Sequence, residues 1–131
     1  MIVVETSALA AIRQLEPDAL RLHSRIAHDD HPVMPASTHV EFALLRKLGP
    51  ERRAWLRDFV AGLGIATTPI DSDIAALAAE AAERYGKGSG HPANLTFGDC
   101  LSYAVAKHLD APLLYKGNDF VHTDIESALP A

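Results

Sequence analysis

The chain has 131 residues, of which 48% are hydrophobic and 22% are charged. This composition can build a hydrophobic core, which argues against disorder and against a fibrous assembly. The formal net charge of −5 gives no sign of a broadly basic nucleic-acid-binding protein, although acids gathered at a metal site would contribute to that total. The single cysteine, Cys100, excludes an internal disulfide and a cysteine-rich zinc site.

The length corresponds to a single domain, residues 1–131. The sequence contains neither a basic leader with an apolar stretch nor an apolar run of the roughly 20 residues that cross a bilayer. We therefore expect a cytoplasmic protein without a membrane-spanning segment.

Short apolar runs alternate with helical patterns from the first residues onward. Ile2–Val4 is typical of a strand buried on both faces. Either Thr6 or Ser7 can cap the helix that follows, which the pattern extends to Leu15. A second helix after Pro17 is predicted to place on one face Ala19, Leu20, His23, Ile26 and Ala27.

The middle of the chain repeats this alternation. Residues 33–36 are a possible second strand, and Ser37 and Thr38 open a helix that Gly49 and Pro50 end. A neighbouring helix carries an apolar face made of Trp55, Leu56, Phe59, Val60 and Leu63. Residues 65–70 are a third predicted strand, and Asp71 caps a long alanine-rich helix.

The remaining elements complete the pattern. Residues 86–90, GKGSG, lack the spacing of a phosphate-binding loop and are predicted to be a mobile surface connection. A helix over about 98–109 and a last strand at 112–115 follow. Strands that alternate with helices favour a mainly parallel sheet covered on both faces, an α/β three-layer α/β/α sandwich.

Four acidic residues lie where such a sheet binds ligands, beyond the carboxyl ends of its strands. Glu5 follows the first predicted strand, and Glu41 lies in the first helical turn after the second. Asp99 opens the helix before the last strand, and Asp119 comes four residues after that strand. We expect these carboxylates to lie close together.

Each acid also has a structural explanation. Thr38 with Glu41 has the spacing of a capping box, and Thr96 with Asp99 nearly so. Asp119 lies in a Gly-Asn-Asp sequence that is typical of a turn. Four carboxylates at one edge nevertheless repel one another unless a cation compensates them. Mg²⁺ and Mn²⁺ prefer oxygen ligands, so the pattern indicates a metal site suited to phosphodiester hydrolysis.

The other candidate groups are weaker. The seven histidines show no metal-ligand spacing, and Cys100 is interpreted as a small core residue. One basic concentration is present, and it is interpreted as a solvated helical hairpin that could grip a phosphate backbone. Its members are Arg46, Lys47, Arg52, Arg53 and Arg57.

Four segments taken together resemble successive motifs of the PIN-domain ribonucleases, in particular the VapC-type toxins of bacterial toxin–antitoxin pairs. They are MIVVETSAL, VEFALL, FGDCLSYAVAK and PLLYKGNDFVHTDI. The resemblance spans the whole chain and keeps the order of the motifs. It implies a three-layer fold and endonucleolytic cleavage of RNA with Mg²⁺ or Mn²⁺. It also implies a homodimer and a VapB-type antitoxin whose carboxy-terminal segment enters the active-site groove.

By this resemblance, Glu41, Asp99 and Asp119 are three of the four acidic site residues, and Ser7 is the small hydroxyl residue beside the first acid. At that first position the chain has Glu5, where the family pattern has aspartate. The added methylene carries the carboxylate about 1.5 Å further from the backbone. Because Mg²⁺ tolerates little geometric error, we expect reduced activity.

Two other interpretations stay open. In the first, the chain is a degenerate PIN domain that binds RNA or an antitoxin but has lost its chemistry through Glu5, whether natural or introduced. In the second, it is a phospho-accepting receiver domain, which is also α/β and has a lysine, like Lys116, after its last strand. That class needs an aspartate at the end of a central strand, whereas the third predicted strand ends in Thr-Pro-Ile before Asp71.

Overall fold

The computed structural model describes residues 1–129, in which strands and helices alternate along the chain. The strands are β1 (Ile2–Val4), β2 (Pro32–Pro35), β3 (Ala66–Thr68) and β4 (Leu113–Leu114). The α-helices are α1 (Thr6–Arg13), α2 (Ala19–Ala27), α3 (Ala36–Leu44), α4 (Arg52–Leu63), α5 (Ser72–Tyr85) and α6 (Phe97–His108). A short 3₁₀ turn covers Arg46–Leu48.

The four strands form one parallel sheet in the order β3-β2-β1-β4. Successive side chains of a strand point to opposite faces of the sheet, so each strand contributes side chains to two hydrophobic cores. Ile2 and Val4 belong to the core shared with α1 to α4, while Val3 belongs to the core shared with α5 and α6. This confirms the three-layer α/β/α arrangement. In the part of the chain that the structure describes, no helix is both long and apolar enough to cross a bilayer.

Several predicted boundaries shift. Helix α1 is capped by Glu5 rather than by Thr6 or Ser7, and it ends at Arg13. The third strand is only three residues long, and it lies at the edge of the sheet. Asp71 caps α5 as predicted, because its carboxylate accepts a hydrogen bond from the backbone N–H of Ile74 at 2.9 Å.

The predicted face of α2 was partly wrong, since only Ala19 and Ile26 of its five residues are buried. Leu20 is 85% exposed, and His23 and Ala27 are exposed as well. The buried residues are Ala19, Leu22 and Ile26. The ring of His23 still contacts Phe59, with the ring centroids 5.5 Å apart, so only that part of the expected helix contact is present.

The prediction for α3 was wrong at both ends. The helix begins at Ala36, directly after β2, and stops at Leu44 instead of continuing to Gly49. Since Pro35 occupies the cap position, Thr38 and Glu41 form no capping box, and Glu41 lies in the second turn. This displacement by one turn frees the carboxylate of Glu41 from the end of its own helix.

Candidate active site

Glu5 lies at the carboxyl end of the central strand β1 and begins helix α1. Its backbone N–H donates to the carbonyl of Leu114 at 3.0 Å, which fixes it to the neighbouring strand. Its side chain is 4% exposed, and its Oε2 accepts hydrogen bonds from the backbone N–H of Ser7, at 2.8 Å, and from the Ser7 hydroxyl. Burial, reinforced by the charges of Glu41 and Asp99, raises the pKa of Glu5 to about 7.

Ser7 connects the first acid to the end of β4. Its Oγ accepts a hydrogen bond from the backbone N–H of Lys116 at 2.9 Å and donates its own proton to Glu5. The lysine amide thus occupies an acceptor position of the hydroxyl, while the hydroxyl proton goes to the carboxylate. The predicted supporting residue therefore lies beside the first acid and fixes its orientation.

Glu41 reaches the same edge from α3. Its Oε1 accepts a hydrogen bond from the hydroxyl of Thr6 at 2.9 Å. Its other oxygen lies against Gly98 in the first turn of α6, where an added Cβ would come within 1.8 Å of Oε2. Only glycine leaves room for the carboxylate in this position. Burial, together with the charge of Asp99, raises the pKa of Glu41.

Asp99 is held by the first turn of α6. Its Oδ2 accepts from the backbone N–H of Thr96 at 3.1 Å, and its own N–H donates to the Thr96 hydroxyl at 3.3 Å. The predicted capping box at this helix is confirmed. The carboxylate is 6% exposed, and its burial, followed by the charge of Asp119, raises its pKa.

The four predicted acids therefore share one edge of the sheet, although unequally. The charges of Glu41 and Asp99 raise the pKa of Glu5, and that of Asp99 also raises the pKa of Glu41, whereas Asp119 is exposed and raises only the pKa of Asp99. None of the salt bridges within residues 1–129 involves any of the four. The arrangement is a partly buried concentration of negative charge in which no acid is paired with a lysine or arginine of the described residues.

The oxygen atoms of this cluster suit a hard divalent cation. Hydrogen bonds from described residues reach Glu5 and Glu41 on one oxygen each, and Asp99 on Oδ2, which leaves one oxygen of each carboxylate without a hydrogen bond. Within residues 1–129, no three acidic, histidine or cysteine side chains converge closely enough to hold an ion by themselves. Mg²⁺ is commonly bound through one or two carboxylates and several waters, so the donor set fits such an ion.

The predicted basic concentration is partly structural. Arg52 donates from Nε to the carbonyl of Ala43 at 2.7 Å and from Nη1 to the carbonyl of Gly49 at 2.9 Å, which secures the chain after α3. Arg57 pairs with Asp58 on the surface at 3.3 Å. These contacts engage two of the five members, whereas Arg46, Lys47 and Arg53 are exposed.

Three contributors to the site were not among the predicted residues. They are the hydroxyl of Thr6, the missing side chain of Gly98 and the backbone N–H of Lys116. The first two flank predicted acids in the sequence, which is the only signal that could have indicated them. The third depends on the pairing of β1 with β4, which no local pattern specifies.

Comparison with known proteins gives a consistent result. A family model described as PIN domain matches residues 2–126. Ribonuclease VapC42 of Mycobacterium tuberculosis is 39% identical over 128 residues, covering 96% of this chain and 98% of that protein. Ribonuclease VapC28 of the same organism is 38% identical over 129 residues, covering 97% of each. The crystal structure of M. tuberculosis VapC20, described as a sarcin-ricin loop cleaving toxin, superposes with a TM-score of 0.79 and 17% identity, covering 99% of this chain and 100% of that one.

Proposed function

The chain belongs to the PIN-domain family as a VapC-type member, and from this premise we propose that it is a metal-dependent endoribonuclease toxin. The relatives named as ribonucleases support cleavage of RNA, and they match nearly the full length of the chain. The receiver-domain interpretation is discarded, because the matching family model covers residues 2–126.

One observation carries the proposal. Three carboxylates with raised pKa values, those of Glu5, Glu41 and Asp99, lie at the carboxyl edge of a parallel sheet and form no salt bridge with a described residue. Such an edge is where ligands bind to α/β proteins, and perturbed carboxylates cluster at functional sites. Helix capping explains Glu5 and Asp99 singly, but no salt bridge of the described residues compensates the charge of the cluster.

We assign Mg²⁺ or Mn²⁺ to this cluster, held mainly by Glu5 and Asp99, with Glu41 and Asp119 completing the acidic surroundings. When bound, the ion supplies Lewis acidity, which neutralises charge on phosphate oxygens and lowers the pKa of water. The residues of the chain hold the carboxylates in place through the hydrogen bonds of Ser7 to the first acid, Thr6 to the second and Thr96 to the third. These bonds limit the movement of the carboxylates when substrate enters.

A cleavage assay tests the proposal directly. Total tRNA is incubated with the protein in a chelator, in Mg²⁺ and in Mn²⁺, and the products are separated by size. We expect internal cuts with either ion, none in chelator, and recovery when Mn²⁺ is added back. Cleavage that continues in chelator would contradict the metal requirement, and intact RNA under every condition would contradict the ribonuclease.

Glu5 supports a second candidate, a PIN domain that binds RNA or an antitoxin without cutting. The glutamate side chain folds back to cap its own helix, and both of its hydrogen bonds converge on Oε2. A glutamate whose carboxylate caps its own helix offers its oxygens to a metal ion in a different geometry from that of an aspartate at the same position. The same cleavage assay separates the candidates, since this one predicts RNA binding with intact RNA.

The assignment extends to partners and location. We propose that the protein forms a homodimer, that a VapB-type antitoxin neutralises it, and that both act in the cytoplasm, where the RNA is. Val40 and Leu44 on α3 are 63% and 66% exposed, which supports an apolar contact surface on that helix. Trp55 and Phe59, by contrast, stack on each other with ring centroids 4.7 Å apart and pack against the core.

Light scattering at micromolar concentration tests the homodimer, and a monomeric mass would contradict it. Coexpression with the product of a small adjacent reading frame that encodes a DNA-binding fold tests the antitoxin. We expect that product to relieve growth arrest, whereas arrest that persists would contradict the pairing.

A further inference from the structure

A cavity of about 330 Å³ opens directly beside the acidic cluster. This volume lies at the lower end of the range of ligand-binding pockets. Its lining includes Glu5, Ser7 and Glu41 together with Glu16, Lys47 and Lys116. The cavity therefore joins the proposed metal site to two ammonium groups, which is a combination that the acids alone would not provide.

Lys116 is fixed to the acidic cluster by its backbone, while its side chain pairs with two other carboxylates. The backbone N–H donates to Ser7 Oγ at 2.9 Å, and Ser7 in turn holds Glu5. The ammonium group forms ion pairs with Glu16 and, at 3.1 Å, with Asp18. The Lys116 side chain, which lines the cavity, is thus held by these ion pairs.

The ion pairs of Lys116 are of a kind that an anionic ligand can replace. Its side chain is 34% exposed, and those of Glu16 and Asp18 are similarly accessible. Ion pairs at such accessible positions contribute little to stability. Lys47, which also lines the cavity, is exposed and forms no salt bridge with any residue of the part that the structure describes. A phosphate group can therefore be bound by both lysines at little energetic expense.

We infer that this cavity is a subsite for a phosphate group of single-stranded RNA next to the bond that is cut, and that Lys116 and Lys47 bind it. The inference rests on the proposed function, because an RNA strand must already lie across the acidic cluster. There the four carboxylates repel the strand, and the two ammonium groups offset that repulsion at the adjoining phosphate. Lys116 also fixes the position of that phosphate relative to Glu5, through Ser7.

The first test is binding of a short fluorescent single-stranded RNA, followed by anisotropy over a series of salt concentrations. Ca²⁺ replaces Mg²⁺, since it accepts the same oxygen ligands in a less demanding geometry. Each lysine that neutralises a phosphate contributes about 0.7 to the slope of log affinity against log salt for single strands. We expect Lys116→Gln and Lys47→Gln each to weaken binding and to lower the slope by about that amount.

Lys107→Gln is the matched control. Lys107 also pairs with a carboxylate, that of Asp124 at 3.1 Å, but it lies in the last turn of α6, whereas Asp99 lies in the first. Its replacement removes the same charge and should leave the salt slope unchanged. An equal loss of slope in all three variants would mean that only total charge matters, which would overturn the subsite.

Glu16→Gln supplies a prediction of opposite sign. It removes one competitor for the ammonium group of Lys116, so binding of RNA should become tighter. The gain should disappear in the Lys116→Gln background, because the released lysine is then missing. A gain of equal size in both backgrounds would show that Glu16 acts only as a general negative charge, and would overturn the role of Lys116.

Cleavage kinetics separate failure of the subsite from failure of the proposed function. In single-turnover assays with Mg²⁺, Lys116→Gln should raise the protein concentration that gives half the maximal rate more than it lowers the maximal rate. An unaltered chain that binds RNA through both lysines but never cuts it contradicts the ribonuclease and supports the subsite. An unaltered chain whose cleavage and binding are insensitive to both lysines supports the ribonuclease and overturns the subsite. If the lysine variants lost affinity for a polyglutamate peptide while their RNA binding stayed unchanged, the phosphate subsite would be overturned in favour of a site for an acidic protein partner.

Discussion

Two aspartates that are held against opposite ends of helix α6 have opposite surroundings. Asp99, in the first turn, lies among other carboxylates, and its pKa is raised. Asp124 accepts hydrogen bonds from the hydroxyls of Tyr103 and Tyr85 and an ion pair from Lys107 at 3.1 Å, and its pKa is lowered. The charge of Asp124 is thus compensated by Lys107. The charges of the acids at the edge of the sheet have no such partner among the described residues. This contrast distinguishes a structural carboxylate from one that awaits a ligand.

The largest expected effect comes from removing the charge of Asp99, in the first turn of α6. Asp99→Asn should reduce RNA cleavage by roughly a thousandfold, the upper end of what a single electrostatic group contributes in an active site. It should also weaken Mn²⁺ binding in titration calorimetry. Thermal stability without metal should be maintained or increased, because the neutral amide is not repelled by the neighbouring acids.

Asp124→Asn is the matched change at the other end of the helix. It should lower the melting temperature, since Lys107 and two tyrosine hydroxyls lose a charged partner, while Mn²⁺ affinity stays the same. The proposed difference between the two ends would be wrong if both variants lost Mn²⁺ affinity equally, or if Asp99→Asn left it unchanged.

The next effect concerns the departure at position 5. Glu5→Asp should increase RNA cleavage by up to roughly a hundredfold, because misplacement by about 1 Å has an effect of that size on a rate. Metal affinity should rise far less, since either acid offers an oxygen ligand. The check is a single-turnover assay with the unaltered chain, Glu5→Asp and Glu5→Ala, in Mg²⁺ and in Mn²⁺. Equal rates for the first two would refute the geometric explanation, and equal rates for all three would remove Glu5 from the site.

A third effect appears in the stability of the metal-free protein. The carboxyl of Glu5 has a pKa of about 7 when folded and 4.5 otherwise, so the folded state binds more protons between these values. The free energy of unfolding of the protein should therefore fall as pH rises across this interval. The expected decrease is up to about 3 kcal/mol, at about 1.4 kcal/mol per pKa unit. Glu41 and Asp99, whose pKa values are also raised, act in the same direction.

Urea unfolding in chelator at about pH 5 and about pH 8 measures this dependence. The Glu5→Gln variant should show a clearly smaller loss between the two, and Mn²⁺ should restore stability at the higher pH. Stability that rises with pH over this range in the unaltered chain would contradict the assignment of Glu5 as a buried acid without a compensating cation.

The sequence predicted the architecture well because apolar strands and capping residues are local signals. Ile2–Val4 and the capping box of Thr96 with Asp99 were found as expected. Where several local solutions compete, the prediction failed. Thr38 has the spacing to cap a helix that begins one turn later, but Pro35 ends β2 and starts α3 at once, so tertiary connection decided the boundary.

The sequence identified the acids and Ser7 beside the first of them, but none of their other partners. Glu5, Glu41 and Asp99 follow from motif order, and the topology of a parallel sheet brings them to one edge. The contact between Glu41 and Gly98 depends on how α3 packs on α6, and the tie from Lys116 to Ser7 depends on which strands are neighbours. Both are consequences of three-dimensional packing, which has no signature in a single sequence.

The smallest expected effect comes from Gly98→Ala, which should displace the carboxylate of Glu41 without changing its charge. In Gly98→Ala the new Cβ would lie 1.8 Å from Glu41 Oε2, so the carboxylate must move, while the flexible side chain lets the backbone stay in place. Since alanine also favours a helix by roughly 0.5–1 kcal/mol, the melting temperature should hold or rise. RNA cleavage should nevertheless fall about tenfold, as for other residues that orient a metal site.

Gly62→Ala in α4, where a Cβ meets nothing within 4 Å, is the control that should stabilise the protein without any loss of cleavage. In a Glu41→Gln background, Gly98→Ala should have little further effect, and a full tenfold loss there would show that Gly98 acts on something other than Glu41.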